Sequence, residues 1–417
     1  MKKALITPIL LSSTLFAQPS EEIKQIKEEL EVVKEELRKL KLEISMPQIS
    51  TYESYSGLGP AASKALINPK GVSIGGYGEL HFIHNSETKP ENKMDLKRVI
   101  LYFGYSFSEK LKFNSEIEIE HAFVEGGEKS GELATEFAFL DYRLSRAFGV
   151  RGGMILVPVG IINEFHEPPT FYSVDRPYLE RNIIPTTWRE NGFGFYGETD
   201  WVSYRAYVLN GMKVKKGEFK SNAPLKKLRQ NGGQAAMDEI AFTARIDFKL
   251  PMNTLIGASA FISGVQNENG DRLGSISLFS PHLWWQYAGF DIRFVGAYAT
   301  VSDADKISQG LDDGVGDPEV FPKKIQGFYL QVAYNVFRFT DLEQELYVFG
   351  MYEDYDTYAG IPSGYAKPAG HKVRIYNFGF SYKPHPLVAL KADYVKEDYS
   401  NGKNDQDLYR AALSWMF

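Results

Sequence analysis

The chain has 417 residues, 47 of them Lys or Arg and 53 Asp or Glu, for a net charge of −6 at neutral pH, a balance that gives no reason to expect a nucleic-acid partner. Aromatic residues make up 14%, with 25 Tyr and 28 Phe. The mean hydropathy is negative and no window after the N-terminus has 18 consecutive apolar residues, which excludes a helical membrane protein.

Residues 1–17, MKKALITPILLSSTLFA, read as a secretory signal peptide: Lys2 and Lys3, an apolar run from Ala4 to Leu11, then small and polar residues up to Ala17. There is no cysteine, so a lipoprotein anchor and disulfides are both excluded. Residues 21–45 follow with Ile23, Ile26, Leu30, Val33, Leu37, Leu40 and Ile44 at alternating spacings of three and four. That is a heptad seam, flanked by Glu22, Glu29, Glu36 and Glu43 at the g positions and Lys27, Lys34 and Lys41 at the e positions. The pattern predicts a short parallel coiled coil in the periplasm, and its Leu at central a positions favours three or four strands over two. A single solvated amphipathic helix is the alternative. Residues 46–71 break the pattern with Pro47, Gly57, Gly59 and Pro60 and read as a linker, in which PAASKAL adds a helical turn.

From 72 to 417 the period becomes two. In FYLQVAYNV, Phe328, Leu330, Val332, Tyr334 and Val336 alternate with Tyr329, Gln331, Ala333 and Asn335. Sixteen such segments are predicted, at 72–84, 95–107, 110–124, 131–144, 147–157, 191–200, 202–211, 237–249, 252–265, 272–285, 288–301, 324–337, 342–355, 370–383, 386–399 and 405–417. Short turns between them alternate with long connections at 158–190, 212–236, 302–323 and 356–369. An antiparallel transmembrane β-barrel has that rhythm. Tyr105, Phe107, Trp201, Phe248, Trp284, Phe337, Tyr382 and Trp415 fall beside the short turns, where an aromatic girdle belongs. The final segment ends on Phe417 with apolar residues at every second place before it, the form of a C-terminal strand taken up by the outer-membrane barrel assembly machinery.

If the apolar face meets lipid, the other face lines a lumen, which sixteen strands leave wide enough for water. By parity Arg98, Arg151, Arg205, Arg245, Arg293 and Arg410 face it, together with Glu116 and Glu118. An arginine on the lipid face costs about 2–4 kcal/mol at the midplane. Two arrangements remain open: charges that only solvate the wall and pair with one another, or an arginine wall that sets up a field across the lumen.

The 158–190 connection contains EFHEPPTFYSVDRPYLERNIIPTTWRENG, and a segment this long without regular structure implies a task. HEPPT begins like a zinc-protease helix, but Thr170 stands where the second histidine belongs and Pro168–Pro169 forbid the helix. No catalytic set, metal site or cofactor is expected. As a loop folded into a lumen, the segment offers Glu164, His166, Glu167, Asp175, Arg176, Arg181 and Arg189 as constriction residues.

GLGPAAS, IGGYGELHF, VILYFGYSF, LKFNSEIEIEHAFV, LVPVGIINEFHEPPTFYSVDRP and ERNIIPTTWRENGFGFYGE resemble the phosphate-selective porin O and P family, over about Gly57 to Phe417. The resemblance implies a trimer of sixteen-stranded barrels in the outer membrane of a Gram-negative-type bacterium, each narrowed by an inward loop, with arginines and a lysine path guiding anions. The chain departs from that pattern in its inward loop, where three Arg face five acidic residues, while KVKKGEFKSNAPLKKLRQ carries six Lys and one Arg against one Glu and suits anions or lipopolysaccharide phosphates. The expectation is thus a homotrimeric porin without cofactor, and the alternative a structural protein whose coil tethers the membrane to peptidoglycan.

Overall fold

The computed structural model describes residues 21–45, 57–67, 70–89, 91–122, 131–312, 314, 319–400 and 405–417. The expected signal peptide and half of the expected 46–71 linker lie outside them. Residues 21–48 and 49–417 belong to two separate units. In the first, α1 (Glu21–Ser45) is one continuous helix. Its seam residues Ile26, Leu30, Val33 and Leu37 are at least half exposed; the side chains of Ile23, Leu40 and Ile44 lie outside the described residues. A coil would need partner helices that one chain does not provide.

The second unit is a closed barrel of sixteen antiparallel strands: β1 (Gly71–Asn85), β2 (Asn92–Ser106), β3 (Leu111–Glu120), β4 (Leu133–Ser145), β5 (Phe148–Leu156), β6 (Arg189–Glu198), β7 (Val202–Asn210), β8 (Ile240–Leu250), β9 (Thr254–Gln266), β10 (Arg272–Tyr287), β11 (Phe290–Ser302), β12 (Lys324–Asn335), β13 (Glu345–Gly360), β14 (Lys372–His385), β15 (Val388–Tyr399) and β16 (Gln406–Met416). Each strand pairs with its sequence neighbours, and β1 closes on β16 from Tyr77↔Met416 to Asn85↔Leu408, so no edge is left open. A two-residue bridge, Met212–Lys213, runs parallel to the end of β9 inside a long connection. Tight turns use backbones suited to them: Ala288 and Gly289 both have positive φ, as a two-residue type I′ hairpin requires.

Alternation decides which face is which. Along β8 the side chains of Ile240, Phe242, Ile246 and Phe248 are exposed, while Thr243, Arg245 and Asp247 between them are buried. Exposed Leu101, Phe103, Leu140, Val150, Phe193 and Phe195 extend the same outward apolar surface, which only lipid or a partner can cover. Trp284 departs from the expected girdle. It is turned inward, its indole donating to Asp291 at 3.0 Å, and Trp285 takes the outward place; the WW dipeptide gives one ring to each face. Tyr105, Phe107, Trp201 and Phe248 do point outward.

The predicted linker also changes meaning. Its end forms α2 (Pro60–Ile67), which packs on β1, β2 and β3 from within the lumen and buries Leu58, Ala61, Ala62 and Leu66. The inward side chains of Lys112 and Asn114 hold it by its carbonyls, Lys112 on Leu66 O and Asn114 Nδ2 on Ala62 O at 3.0 Å.

Candidate functional site

After β5 the chain turns into the lumen and stays there until β6, so almost every residue from 157 to 190 is buried. A buried loop must find partners for its backbone, and here the barrel wall supplies them. Asn163 ties the two ends together: its Nδ2 donates to Val157 O at 2.7 Å and Trp188 O at 3.0 Å, and its Oδ1 accepts from Trp188 N at 2.7 Å. Farther in, α3 (Leu179–Asn182) is received by Glu353 of β13, which accepts from the backbone N–H of Tyr178 and Leu179 at 2.9 and 2.8 Å. Asp393 of β15 accepts from Val174 N at 2.8 Å, and Lys391 donates to Pro168 O and Ser173 O at 2.6 and 3.0 Å. Glu180 works within the loop, accepting from Ile161 N and Ile162 N at 2.9 and 2.7 Å and from Tyr329 Oη of β12 at 2.8 Å. Burial pushes its carboxyl up to about 7 in spite of these three donors.

The expected constriction residues separate into two groups. Glu164, His166 and Glu167 are turned into the wall and do not border an open path. Glu164 meets Arg205 at 2.9 Å and Arg245 at 3.4 Å, His166 meets Glu116 at 3.1 Å, and Glu167 accepts from Ala62 N of α2 at 3.3 Å. Each of the three helps to hold the loop. Arg189 likewise pairs with Glu136 at 3.0 Å. Asp175, Arg176 and Arg181 stay beside open space. Asp175 is ringed by Lys97, by Arg410 at 3.2 Å and by Arg181 at 3.6 Å; burial opposes its charge, yet these cations hold its carboxyl well below the usual range. Arg181 is 28% exposed and lies 4.2 Å over the Tyr178 ring.

All eight expected wall residues, Arg98, Arg151, Arg205, Arg245, Arg293, Arg410, Glu116 and Glu118, are buried, on the inner face by the alternation above. They do not segregate into an arginine wall. Arg151 pairs with Asp141, Arg205 and Arg245 with Asp247, Arg293 with Asp291 and Arg410 with Asp393, at 2.7–2.9 Å; Arg98 lies 2.8 Å from Glu79 and 3.4 Å from Glu118. Asp291 and Arg293 also meet loop residue Tyr172, Asp291 by a hydrogen bond of 2.8 Å and Arg293 over the ring. These charges receive the loop.

Beside the loop, two hollows adjoin among the described residues. The outer one, about 530 Å³, is lined by Tyr178, Arg181, Asn182, Thr186 and, from the 211–239 connection, Lys220 and Lys226, with Tyr355, His371 and Glu397 across from them. Arg181 and Thr186 also line the second, a hollow of about 40 Å³ between the loop and the β1–β2 wall, bounded by Glu79, Lys97, Arg98, Asp175 and Arg176. That is room for a few water molecules. Arg229 joins the two connections by donating to Thr186 O at 2.7 Å. Burial, then repulsion from Arg229 and Lys220, brings Lys226 down to about 8; burial and then Arg189 bring Arg229 to about 10, the response of cations crowded together. The roles of Glu79, Lys97 and Arg229 were not singled out by parity or motif, because the loop's path selects them.

A closed sixteen-stranded barrel with an inward loop is the architecture of outer-membrane porins. Similar folds are the outer membrane channel DcaP of Acinetobacter baumannii (TM-score 0.54, 13% identity, covering 83% of this chain and 97% of that one), Salmonella typhi OmpF (0.53, 13%, 84% and 98%) and an anion-selective porin from Comamonas acidovorans (0.51, 10%, 84% and 100%). No family model matches the chain. An uncharacterized protein of Aquifex aeolicus (strain VF5) is 70% identical over 379 residues, 90% of this chain and 86% of that protein, and the chain belongs to its family.

Proposed function

We propose that the protein is a passive outer-membrane porin for small hydrophilic solutes, with a preference for small anions, phosphate among them. The observation that carries this reading is the narrow hollow between the loop and β1–β2, lined by Lys97, Arg98, Arg176 and Arg181 against Glu79 and Asp175. An excess of two positive charges in so small a space, below an outer chamber carrying Lys220 and Lys226, attracts anions and repels cations. An anion enters the outer chamber, passes Arg181 and Thr186, and exchanges part of its hydration for guanidinium and ammonium donors at Arg176, Lys97 and Arg98. The protein is on this reading a channel and no enzyme.

The assembly proposed is a homotrimer. The half-exposed stripe of Ile26, Leu30, Val33 and Leu37 on α1 supports it, since three copies bury that stripe in a periplasmic coil; OmpT of Vibrio cholerae, a barrel of similar fold (TM-score 0.51, 11% identity), is described in a trimer form. The lysines of the 211–239 connection suit lipopolysaccharide phosphates, and Phe417 is the signal for barrel assembly. The test is conductance of the purified protein in planar bilayers, with the reversal potential under a KCl gradient giving the sign of selectivity. Absence of conductance steps sinks the porin reading. Removing residues 21–44 separates it from the peptidoglycan tether: loss of the trimer with an intact envelope supports the porin, blebbing with unchanged conductance the tether.

A further inference from the structure

Behind the loop, on the side away from the open path, Glu116 of β3, Glu136 of β4 and His166 bring one ligand atom each to within 4.8 Å of one another, all buried. Three details distinguish this group from an ordinary ion pair. First, His166 Nδ1 lies 3.0 Å from the carbonyl of Asn163. A carbonyl only accepts, so Nδ1 carries a proton, and Nε2 lies 3.1 Å from Glu116 Oε1. At that distance the ring nitrogen and the carboxylate need a second proton or a metal ion between them. An imidazole whose other nitrogen donates to a backbone carbonyl is also the usual setting of a metal-binding histidine. Second, Glu116 Oε2 is buried with no hydrogen-bond donor among the described residues, on a side chain that is 0% exposed, and Glu136 has the carboxyl of Glu118 against it; a carboxylate oxygen without a donor there is costly. Third, the surroundings are short of positive charge. Glu116, Glu118, Glu136 and Glu167 face Arg189, 3.0 Å from Glu136, and Arg176, 3.5 Å from His166 O; Arg98 is shared between Glu118 and Glu79.

We propose that Glu116, Glu136 and His166 bind a divalent transition-metal ion that fastens the inward loop to the barrel wall. Two carboxylate oxygens and one imidazole nitrogen suit Zn²⁺ and its first-row neighbours. Bonds of about 2.0–2.2 Å place ligand atoms roughly 3.4 Å apart in a tetrahedral shell, so small side-chain adjustments close the group. The ion joins β3 and β4 to the segment between Asn163 and Glu167, the part of the loop that also touches α2. The HEPPT stretch thus supplies one metal ligand while lacking the zinc-protease helix, its other partners coming from strands distant in sequence. The proposal stands whether or not the barrel conducts, because its readout is metal content.

The test uses the full chain in detergent, stripped with EDTA and offered Zn²⁺ both after folding and during refolding. The expected result is one Zn²⁺ per chain by elemental analysis, an X-ray absorption spectrum with one imidazole and otherwise oxygen ligands, and affinity lowered about 100-fold in H166Q and in E116Q, the upper end of what losing an outer partner alone costs. H121Q, which removes an exposed histidine paired with Asp95, should bind as the parent does. Migration that changes on heating shows which variants fold. If neither H166Q nor E116Q folds, the spectrum of the parent decides. Metal at background in the parent, a shell without imidazole, or affinity unmoved in a folded H166Q would overturn the proposal and leave a protonated imidazole holding Glu116.

Discussion

Arg181 stands at the boundary of the two hollows, lining both, so its substitution tests the permeation path with little cost to the fold. In Arg181→Gln, Asp175 keeps Lys97 and Arg410 and Tyr178 loses only the guanidinium above its ring. A hollow of about 40 Å³ holds any ion within roughly 5 Å of its lining, where one unit charge contributes about 0.8 kcal/mol at the dielectric constant of water and about 3 kcal/mol at an effective value of 20. The charge there, Lys97, Arg98, Arg176 and Arg181 against Glu79 and Asp175, is +2 in the parent; it becomes +1 in R181Q and zero in R181E. Removing one charge disfavours an anion and favours a cation by equal amounts, so the chloride-to-potassium preference should fall by about 1.7 kcal/mol or more, roughly 15-fold. The assay is the reversal potential of single channels under a KCl gradient. A stepwise movement toward the cation side is expected from parent to R181Q to R181E, with Arg374→Gln, an exposed arginine paired with Asp354 at 3.5 Å, as the control. Identical reversal potentials in all four, with conductance retained, would place the selective aperture elsewhere.

Deleting residues 166–184 should raise single-channel conductance at least about twofold, since the loop narrows a lumen that sixteen strands leave open; an unchanged conductance removes the loop from the path. Glu180 makes a pH prediction. Its folded-state value of about 7 lies above that of an ordinary Glu, so its contribution to stability is full below about pH 4.5 and is lost as pH rises through about 7, by at most about 3 kcal/mol. Thermal scans of the parent should show lower stability at pH 8 than at pH 5, and Glu180→Gln, which keeps an acceptor for Ile161 and Ile162 without the charge, should flatten that difference; equal slopes would refute the assignment. In α1, Leu30→Asp with Leu37→Asp removes two half-exposed seam residues worth about 1 kcal/mol each on burial and adds a charge to the seam. The proposed trimer should dissociate at lower temperature on gels run without boiling, and an unchanged transition excludes the coil from the oligomer.

The sixteen strands were legible because lipid imposes one rule on every outward position. Phe242, Ile246 and Phe248 alternating with Thr243, Arg245 and Asp247 state that rule without any long-range information, and the segment predicted at 237–249 forms at Ile240–Leu250. Where the rule gives no preference the reading failed. Trp284 and Trp285 are equally apolar, and only the pairing of β10 with β11 puts Trp284 beside Arg293. The linker was read as a linker because Gly57, Gly59 and Pro60 look alike in a tether and in the approach to a lumenal helix; what distinguishes α2 is its contact with Lys112, Asn114 and Glu167, which are far off in sequence. For the same reason Glu116 and Glu118 could be placed on the inner face by parity while their partners could not.

The net acidity of the inward loop then ceases to argue against an anion path. Of its five carboxylates, Glu164 is held by Arg205 and Arg245, Glu167 by the backbone of α2, Glu180 by Ile161, Ile162 and Tyr329, and Glu190 by Asn210 and Gln230. Each accepts from a donor that burial would otherwise leave unsatisfied, and none of the four lines either hollow. Only Asp175 does so, and three cations surround it. Arg176 and Arg181 share the hollow with it. A charge sum over a loop counts all of these equally, but a permeating ion meets the side chains at the opening, so selectivity follows from which charges the packing of the loop leaves uncovered.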